Sequence, residues 1–220
     1  PKKIEARQST IIDRYREHFS NSIPDSQQYW TMCASQTDDN GIFQQGSELG
    51  QALSTKLLKD PQFYGVDIDK EVIRRNQLAK PKSNWFCNDF VTQMKTYKDF
   101  NPAVVNADLL SLKKKAHHKA SEILSFLTDC KSKNILLVCN WMITNPHAHR
   151  TSKSDDVLKE VDEFIPLLEQ NQSFQYSFGS GKWVVHPECY IYNGSGAKSN
   201  TYLASFIFVK GKSSKIEEIE

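Results

Sequence analysis

The chain has 220 residues, 39% of them hydrophobic and 25% charged, the proportions of an ordinary globular core in one α/β domain or two small ones. A net charge of +2 and a pI near 8.3 are too mild to argue nucleic-acid binding from charge. No run approaches the ~18 consecutive apolar residues of a membrane span, and the opening "PKKIEARQST" lacks an apolar signal core.

Residues 4–19 space Ile4, Ile11, Ile12, Tyr15 and Phe19 as one apolar face of an amphipathic helix, with Arg7, Arg14 and Arg16 between them. "QYWTMCAS" predicts a first buried strand from about residue 29 to 34. The polar, glycine-containing loop "QTDDNGIFQQG" follows, then a helix over 47–60 with Ser47 as its N-cap. "QFYGVDI" predicts the second strand, and a helix runs from about 70 to 80, where Pro81 ends it. "NWFC" is a third short strand, "DFVTQMKTYKDF" a weak helix and "PAVVNADLL" a fourth strand. Residues 112–130 are helical, with Ile123, Leu124 and Leu127 on one face. "NILLVCNWMI" is the most apolar run and predicts a central fifth strand. A polar loop and a helix over about 155–170 come next. "FQYSF", "WVVH", "CYIYNG" and "YLASFIFVKG" are β-rich and separated by glycine-containing turns. Strands alternating with helices over short connections imply a parallel sheet with right-handed crossovers. No linker-like break divides the chain. A single domain over 1–220 is expected, with a helical extension over 1–27 and a charged tail over 210–220.

The five cysteines are scattered with no C-x-x-C spacing, which argues against a disulfide framework or a structural zinc site and fits a reducing, cytoplasmic setting. His117, His118, His147 and His149 show no convergent third ligand, so no metal is expected. "GSGK" at 179–182 lacks the phosphate-loop pattern and predicts a hairpin turn. "KKK" at 113–115 is a solvated helix start or a phosphate contact. Trp141 belongs to the core or stacks on a planar substrate, and His147 is a candidate base on the substrate side.

"GVDID" at 65–69 holds two carboxylates between a strand and a helix. Asp69 directly precedes Lys70 and suits an N-cap. Asp67 either shares that duty or faces a ligand, since ligands of open α/β sheets bind outside the carboxyl ends of the strands. Asp89 offers the same two alternatives. Asn106 and Asp108 stand at the end of the fourth strand, positioned for substrate.

The element order and these strand ends resemble a class I S-adenosylmethionine-dependent methyltransferase over roughly residues 28–209. The pattern is also similar to uncharacterised methyltransferase-like proteins of phages and plasmids. The resemblance implies a Rossmann-like, mostly parallel seven-stranded sheet whose last strand is antiparallel, with helices on both faces. It implies S-adenosylmethionine as cofactor and a methyl acceptor that is a nucleic acid, a protein or a small molecule, with no membrane partner. "GVDID" matches the motif whose acid binds the ribose hydroxyls, at Asp67 with Ile68 beside it. "CNDF" matches the adenine motif, at Asp89 and Phe90. "PAVVNADLL" matches the motif that runs to the substrate, which makes Asn106 and Asp108 the candidate catalytic pair. The family's first motif is a glycine-rich turn after strand 1. Here "TMCASQTDDNG" stands in its place, with glycines only at Gly41, Gly46 and Gly50. Ala34 and Ser35 are small enough for close backbone approach, and Glu48 is a candidate replacement carboxylate. Two alternatives follow from that departure: a non-catalytic module that binds a macromolecular partner, or another nucleotide-binding enzyme of the doubly wound class.

Overall fold

Apolar runs too long and too continuous for one wet face become strands buried on both sides. β5 (Ile135–Met142) is buried from Ile135 through Trp141, and β4 (Pro102–Asp108) from Pro102 through Ala107. Around them the computed structural model, which describes residues 2–109, 113–142, 172–186, 189–193 and 202–211, arranges β1 (Gln28–Met32), β2 (Phe63–Asp67), β3 (Asn84–Cys87), β6 (Trp183–Val185), β7 (Tyr190–Asn193) and β8 (Tyr202–Lys210) in one sheet. The order is β3-β2-β1-β4-β5-β8-β6, with β7 also on β8. β1 to β5 are parallel, and β8 runs antiparallel to β5, β6 and β7. The mostly parallel sheet with an antiparallel last strand is therefore present. Among the described residues the sheet has eight strands rather than seven, because the strand beside β8 is broken after Val185. Trp183 of β6 sits opposite Lys210, and Tyr190 of β7 opposite Ser205.

Helices cover both faces. α4 (Phe90–Thr96), α5 (Lys113–Asp129) and α6 (Gln172–Gly179) lie on one side, where Met94, Ile123 and Leu127 pack with Val105, Leu137 and Phe208. The other face carries α2 (Glu48–Ser54) and the N-terminal helix α1, residues 2–18, whose Ile11 and Tyr15 join Leu49, Val104, Val138 and Ile207. α3 (Lys70–Ala79) follows β2. No helix among the described residues is long and apolar enough to cross a membrane.

Three further expectations need correction. "FQYSF" is not a strand: it lies within α6, which packs on α5 and hydrogen-bonds to it from Thr128 Oγ1 to Ser177 Oγ (3.1 Å). Its alternation also contains an i,i+4 aromatic pair, Phe174 and Phe178, so the short window fits either period. "GSGK" is consequently a helix-to-strand turn and not a hairpin, with Gly181 at φ +68°. Ile4 is 41% exposed rather than core. The middle of α1, Gln8–Asp13, is π-helical, and the wider turn rotates the first two turns away from the face set by Ile11, Ile12 and Tyr15. The expected helix over 155–170, His147, His149 and the tail beyond 211 lie outside the described residues.

Candidate functional site at the carboxyl ends of the strands

The two aspartates of "GVDID" divide their duties. Asp69 is the N-cap of α3, its Oδ1 accepting from the backbone N–H of Glu71 (2.8 Å) and Val72 (3.3 Å). Asp67 ends β2, and its Oδ1 accepts from the Asp69 N–H at 2.8 Å. That bond fixes the carboxylate plane and leaves Oδ2 without a hydrogen bond among the described residues. Ile68, between them, is 78% exposed. Cys87, the residue paired with Asp67 in β3, is exposed as well, and its Sγ donates to the Ile68 carbonyl. The carboxyl ends of β2 and β3 thus present a half-buried carboxylate beside an uncovered apolar side chain, a combination suited to a diol next to a flat ring.

After β1 the backbone is held by side-chain amides rather than by a glycine turn. Buried Asn76 of α3 accepts from the Gln36 N–H (2.8 Å) and donates to the Ala34 carbonyl (3.4 Å). Buried Gln36 donates to the same carbonyl (2.8 Å), and its Oε1 accepts from the Leu49 N–H (2.9 Å). Ser47 Oγ accepts from the Gly50 N–H at 3.2 Å. Two of the N–H groups that a helix start leaves without an intrahelical partner are therefore met from within the chain. Between these anchors the loop makes a small turn: Asp38 Oδ1 accepts from the N–H groups of Asn40 and Ile42, and Gly41 supplies φ +79°. Ala34 is exposed and Ser35 half-buried, with Ser35 Oγ donating to the Thr37 carbonyl.

Toward β4, β5 and β8 the sheet face changes from apolar to polar. The two-residue side-chain period puts Val104 and Asn106, Val138 and Asn140, Ile207 and Ser205 on one face, the polar member of each pair toward the rim. They form one chain with Glu48. Glu48 Oε1 accepts from Tyr29 Oη and Asn106 Nδ2, both at 2.7 Å. Asn140 Nδ2 donates to Asn106 Oδ1 at 3.0 Å, and Ser205 Oγ donates to Asn140 Oδ1 at 2.5 Å. All five are buried. Burial, reinforced by the Glu48 charge, pushes the Tyr29 phenol well above its ordinary value.

Asp108 stands beside this chain, under the first turns of α1. Lys3 Nζ lies 3.3 Å from its Oδ2, and Oδ1 is buried with no hydrogen-bond partner. Burial raises its pKa, and the Lys3 charge opposes that shift without cancelling it. The cavity enclosed among Lys3, Arg7, Glu48, Asn106, Asp108 and Asn140 holds about 20 Å³, room for a single water.

The remaining candidates are placed as follows. Asp89 caps α4: its Oδ1 accepts from Thr92 N–H and Oγ1, and Lys119 Nζ is 3.5 Å from Oδ2. The Thr92 N–H bond leads the causes that lower its pKa. Phe90 is 3% exposed and belongs to the core. Trp141 is buried, stacked on Phe206 at 4.3 Å and edge-on to His117 at 5.1 Å, so it is a core residue. Sequence reasoning missed Lys3, Tyr29, Gln36, Asn76 and Ser205. The signal at Asn76 was a polar residue on the buried side of α3, one turn from Ile73. The others had none that periodicity could reveal.

No family model matches the sequence, and no curated protein matches it. Solved structures do. The plantazolicin methyltransferase BpumL in complex with SAH aligns at a TM-score of 0.55 with 14% identity, over 96% of this chain and 85% of that one. BpumL with a pentazolic desmethylPZN analog and SAH aligns at 0.54 with 13% identity, over 96% and 86%. The plantazolicin methyltransferase BamL with a triazolic desmethylPZN analog and SAH aligns at 0.53 with 14% identity, over 96% and 86%. The chain has the class I S-adenosylmethionine-dependent methyltransferase fold.

Proposed function

We propose that this chain is a methyltransferase that uses S-adenosylmethionine. The observation that carries the reading is Asp67, with one oxygen fixed by the Asp69 N–H and the other open, beside exposed Ile68 on a sheet of this fold. The solved relatives in the same fold hold SAH, the demethylated cofactor. The residues fit the adenosine half of that group: Asp67 would take the ribose diol in a bidentate grip, Ile68 would lie against the adenine, and Asp89, two residues past the strand partner of Asp67, would meet its amine. Ala34 and Ser35 flank the path toward the reacting end. Glu48 supports that end from beneath, through Asn106, rather than offering a free carboxylate.

When bound, the cofactor supplies an electrophilic methyl group on a sulfonium. The chain's contribution is placement and proton transfer. Asp108 faces the rim at the end of β4 with an unpartnered oxygen, and its burial holds its pKa above the ordinary carboxylate range, the direction required of a group that must take a proton from an acceptor. Asn106 is held from both sides by Glu48 and Asn140 and positions that rim. The first turns of α1 cover Asp108, with Lys3 in contact, so an acceptor has to displace them to reach it. Nucleic acid, protein and small-molecule acceptors all remain within this reading.

Calorimetry with SAH tests it. Asp67→Ala removes a charged acceptor of two hydrogen bonds, about 1–3 kcal/mol, or about 5- to 150-fold in the dissociation constant. Absence of binding to the unaltered chain at millimolar SAH sinks the proposal. One observation favours a second reading, a binding module without catalysis: the N–H groups at the start of α2 are already occupied by Gln36 and Ser47. Transfer of label from methyl-labelled S-adenosylmethionine to any pool of nucleic acid, protein or small molecules excludes that module.

A further inference from the structure

We propose that Glu17, His18 and His186 form a zinc site that ties the carboxyl end of α1 to the break between β6 and β7. One ligand atom from each residue lies within 4.8 Å of the other two. The imidazole centroids of His18 and His186 are 5.5 Å apart with their planes at 81°. Two imidazoles on one tetrahedral zinc, each with a Zn–N bond of about 2.0–2.1 Å, put their ring centres about 5 Å apart. The ring spacing is thus close to the one the ion requires.

The local structure explains why these side chains meet. His18 is the last residue of α1, and at Phe19 the chain leaves the helix with φ −129° and ψ −82°. His186 follows β6 directly and keeps one ladder bond, from its N–H to the Ile207 carbonyl at 2.8 Å, before the strand breaks. Helix end and strand break therefore meet at the rings of His18 and His186. Glu17 brings the third ligand. Its Oε2 accepts from Arg14 Nη1 at 2.7 Å, which leaves Oε1 for the ion and gives the ligating carboxylate the outer partner such ligands usually have. All three residues are half-buried, reachable by an ion yet partly shielded from water. Two imidazole nitrogens and one carboxylate oxygen suit zinc, with water in the fourth position. They are too few and too soft for calcium or magnesium. No sequence spacing announces the site, because its halves come from opposite ends of the chain.

The test uses the whole chain, stripped with EDTA, dialysed and titrated with zinc chloride in a calorimeter. The expected result is one zinc per chain at micromolar affinity or tighter, with a rise in melting temperature. His18→Ala and His186→Ala should each weaken binding at least tenfold. His118→Ala, at an exposed histidine elsewhere, and Cys87→Ser, at the exposed thiol, should leave it unchanged. Zinc that binds equally well to the His18→Ala/His186→Ala double variant, or that is lost with Cys87→Ser instead, overturns the proposal, as does no binding at 100 μM zinc. Should the histidine variants fail to fold, carbethoxylation of the unaltered chain with peptide mapping gives the answer. Zinc should protect His18 and His186 at least fivefold and His118 not at all, and equal labelling with and without zinc refutes the site.

Discussion

Glu48 is the residue whose replacement says most about the rim. Its Oε1 is the common acceptor for Tyr29 Oη and Asn106 Nδ2, each at 2.7 Å, and the residue is 5% exposed. Glu48→Ala leaves both buried donors without their acceptor. A buried donor left without a partner costs about 1–3 kcal/mol, so the pair sets a loss of about 2–6 kcal/mol. In a chain of this size that lowers the melting temperature on the order of 10 °C, at about 2–4 °C per kcal/mol. Glu48→Gln keeps an oxygen where Oε1 stood and gives up only the charge, a loss of about 1 kcal/mol. Urea titration of both variants, followed by fluorescence, measures the two losses directly. The reasoning fails if the variants unfold at the same urea concentration, for then the oxygen is not what the buried donors need. It fails equally if Glu48→Ala unfolds where the unaltered chain does. SAH calorimetry on Glu48→Gln then separates support from contact: a residue that only braces Asn106 leaves the dissociation constant within about threefold, under 1 kcal/mol.

Asp69→Ala should cost about 1 kcal/mol, the usual worth of an N-cap, by urea titration, and leave SAH affinity unchanged; a binding defect equal to that of Asp67→Ala would show that the two aspartates share one duty. Lys210 is 4% exposed and its Nζ donates to the carbonyls of Leu127, Thr128 and Cys130 at the end of α5, so Lys210→Met should lower stability by about 3 kcal/mol, and a midpoint shift below one third of that would mean those carbonyls find other partners. Asp108 carries a pH signature. Its folded pKa is raised from 3.8 by burial, so over the interval between that value and the raised one the folded chain binds more protons than the unfolded chain. Stability from this residue is full below pH 3.8, falls as pH rises through the interval and is flat above it. Melting curves of the unaltered chain and of Asp108→Asn from pH 4 to 7 should diverge in that sense, and parallel curves would refute the assignment.

What could be read in the sequence was local. β4 and β5 announce themselves because both faces are buried and their runs are apolar but for Asn106, Asp108 and Asn140 toward the carboxyl ends. Asp69 and Asp67 could be told apart because an N-cap stands directly before the first helical residue, and Asp67 stands two positions too early. What could not be read was pairing across the sheet. Nothing adjacent to Glu48 says that it lies under Asn106, or that Asn140 and Ser205 continue the chain, because the register of β4, β5 and β8 creates those neighbours. "FQYSF" failed for a different reason: five residues are too few to separate a period of two from a period of 3.6, and packing against α5 decided it.

The missing glycine turn has the same kind of explanation. A glycine-rich turn solves two problems at once, a tight exit from β1 and a close approach of backbone to whatever lies beyond it. Here the exit is solved by Gln36 and Asn76, whose amides hold the backbone of residues 34–36 and the start of α2 from the side. The close approach survives at one glycine, displaced into α2. A Cβ at Gly50 would lie 2.5 Å from the Gln45 carbonyl oxygen and 2.6 Å from that of Gln44, so only glycine lets the loop cross the helix there. That contact is between two parts of the chain, not between chain and ligand. The first motif has therefore kept its structural half, while its donors point inward. In the proposed reading adenosine recognition would fall to the ends of β2 and β3, where Asp67 Oδ2 and Ile68 are open, and this is why Asp67 and no glycine is the residue on which the proposed cofactor site stands.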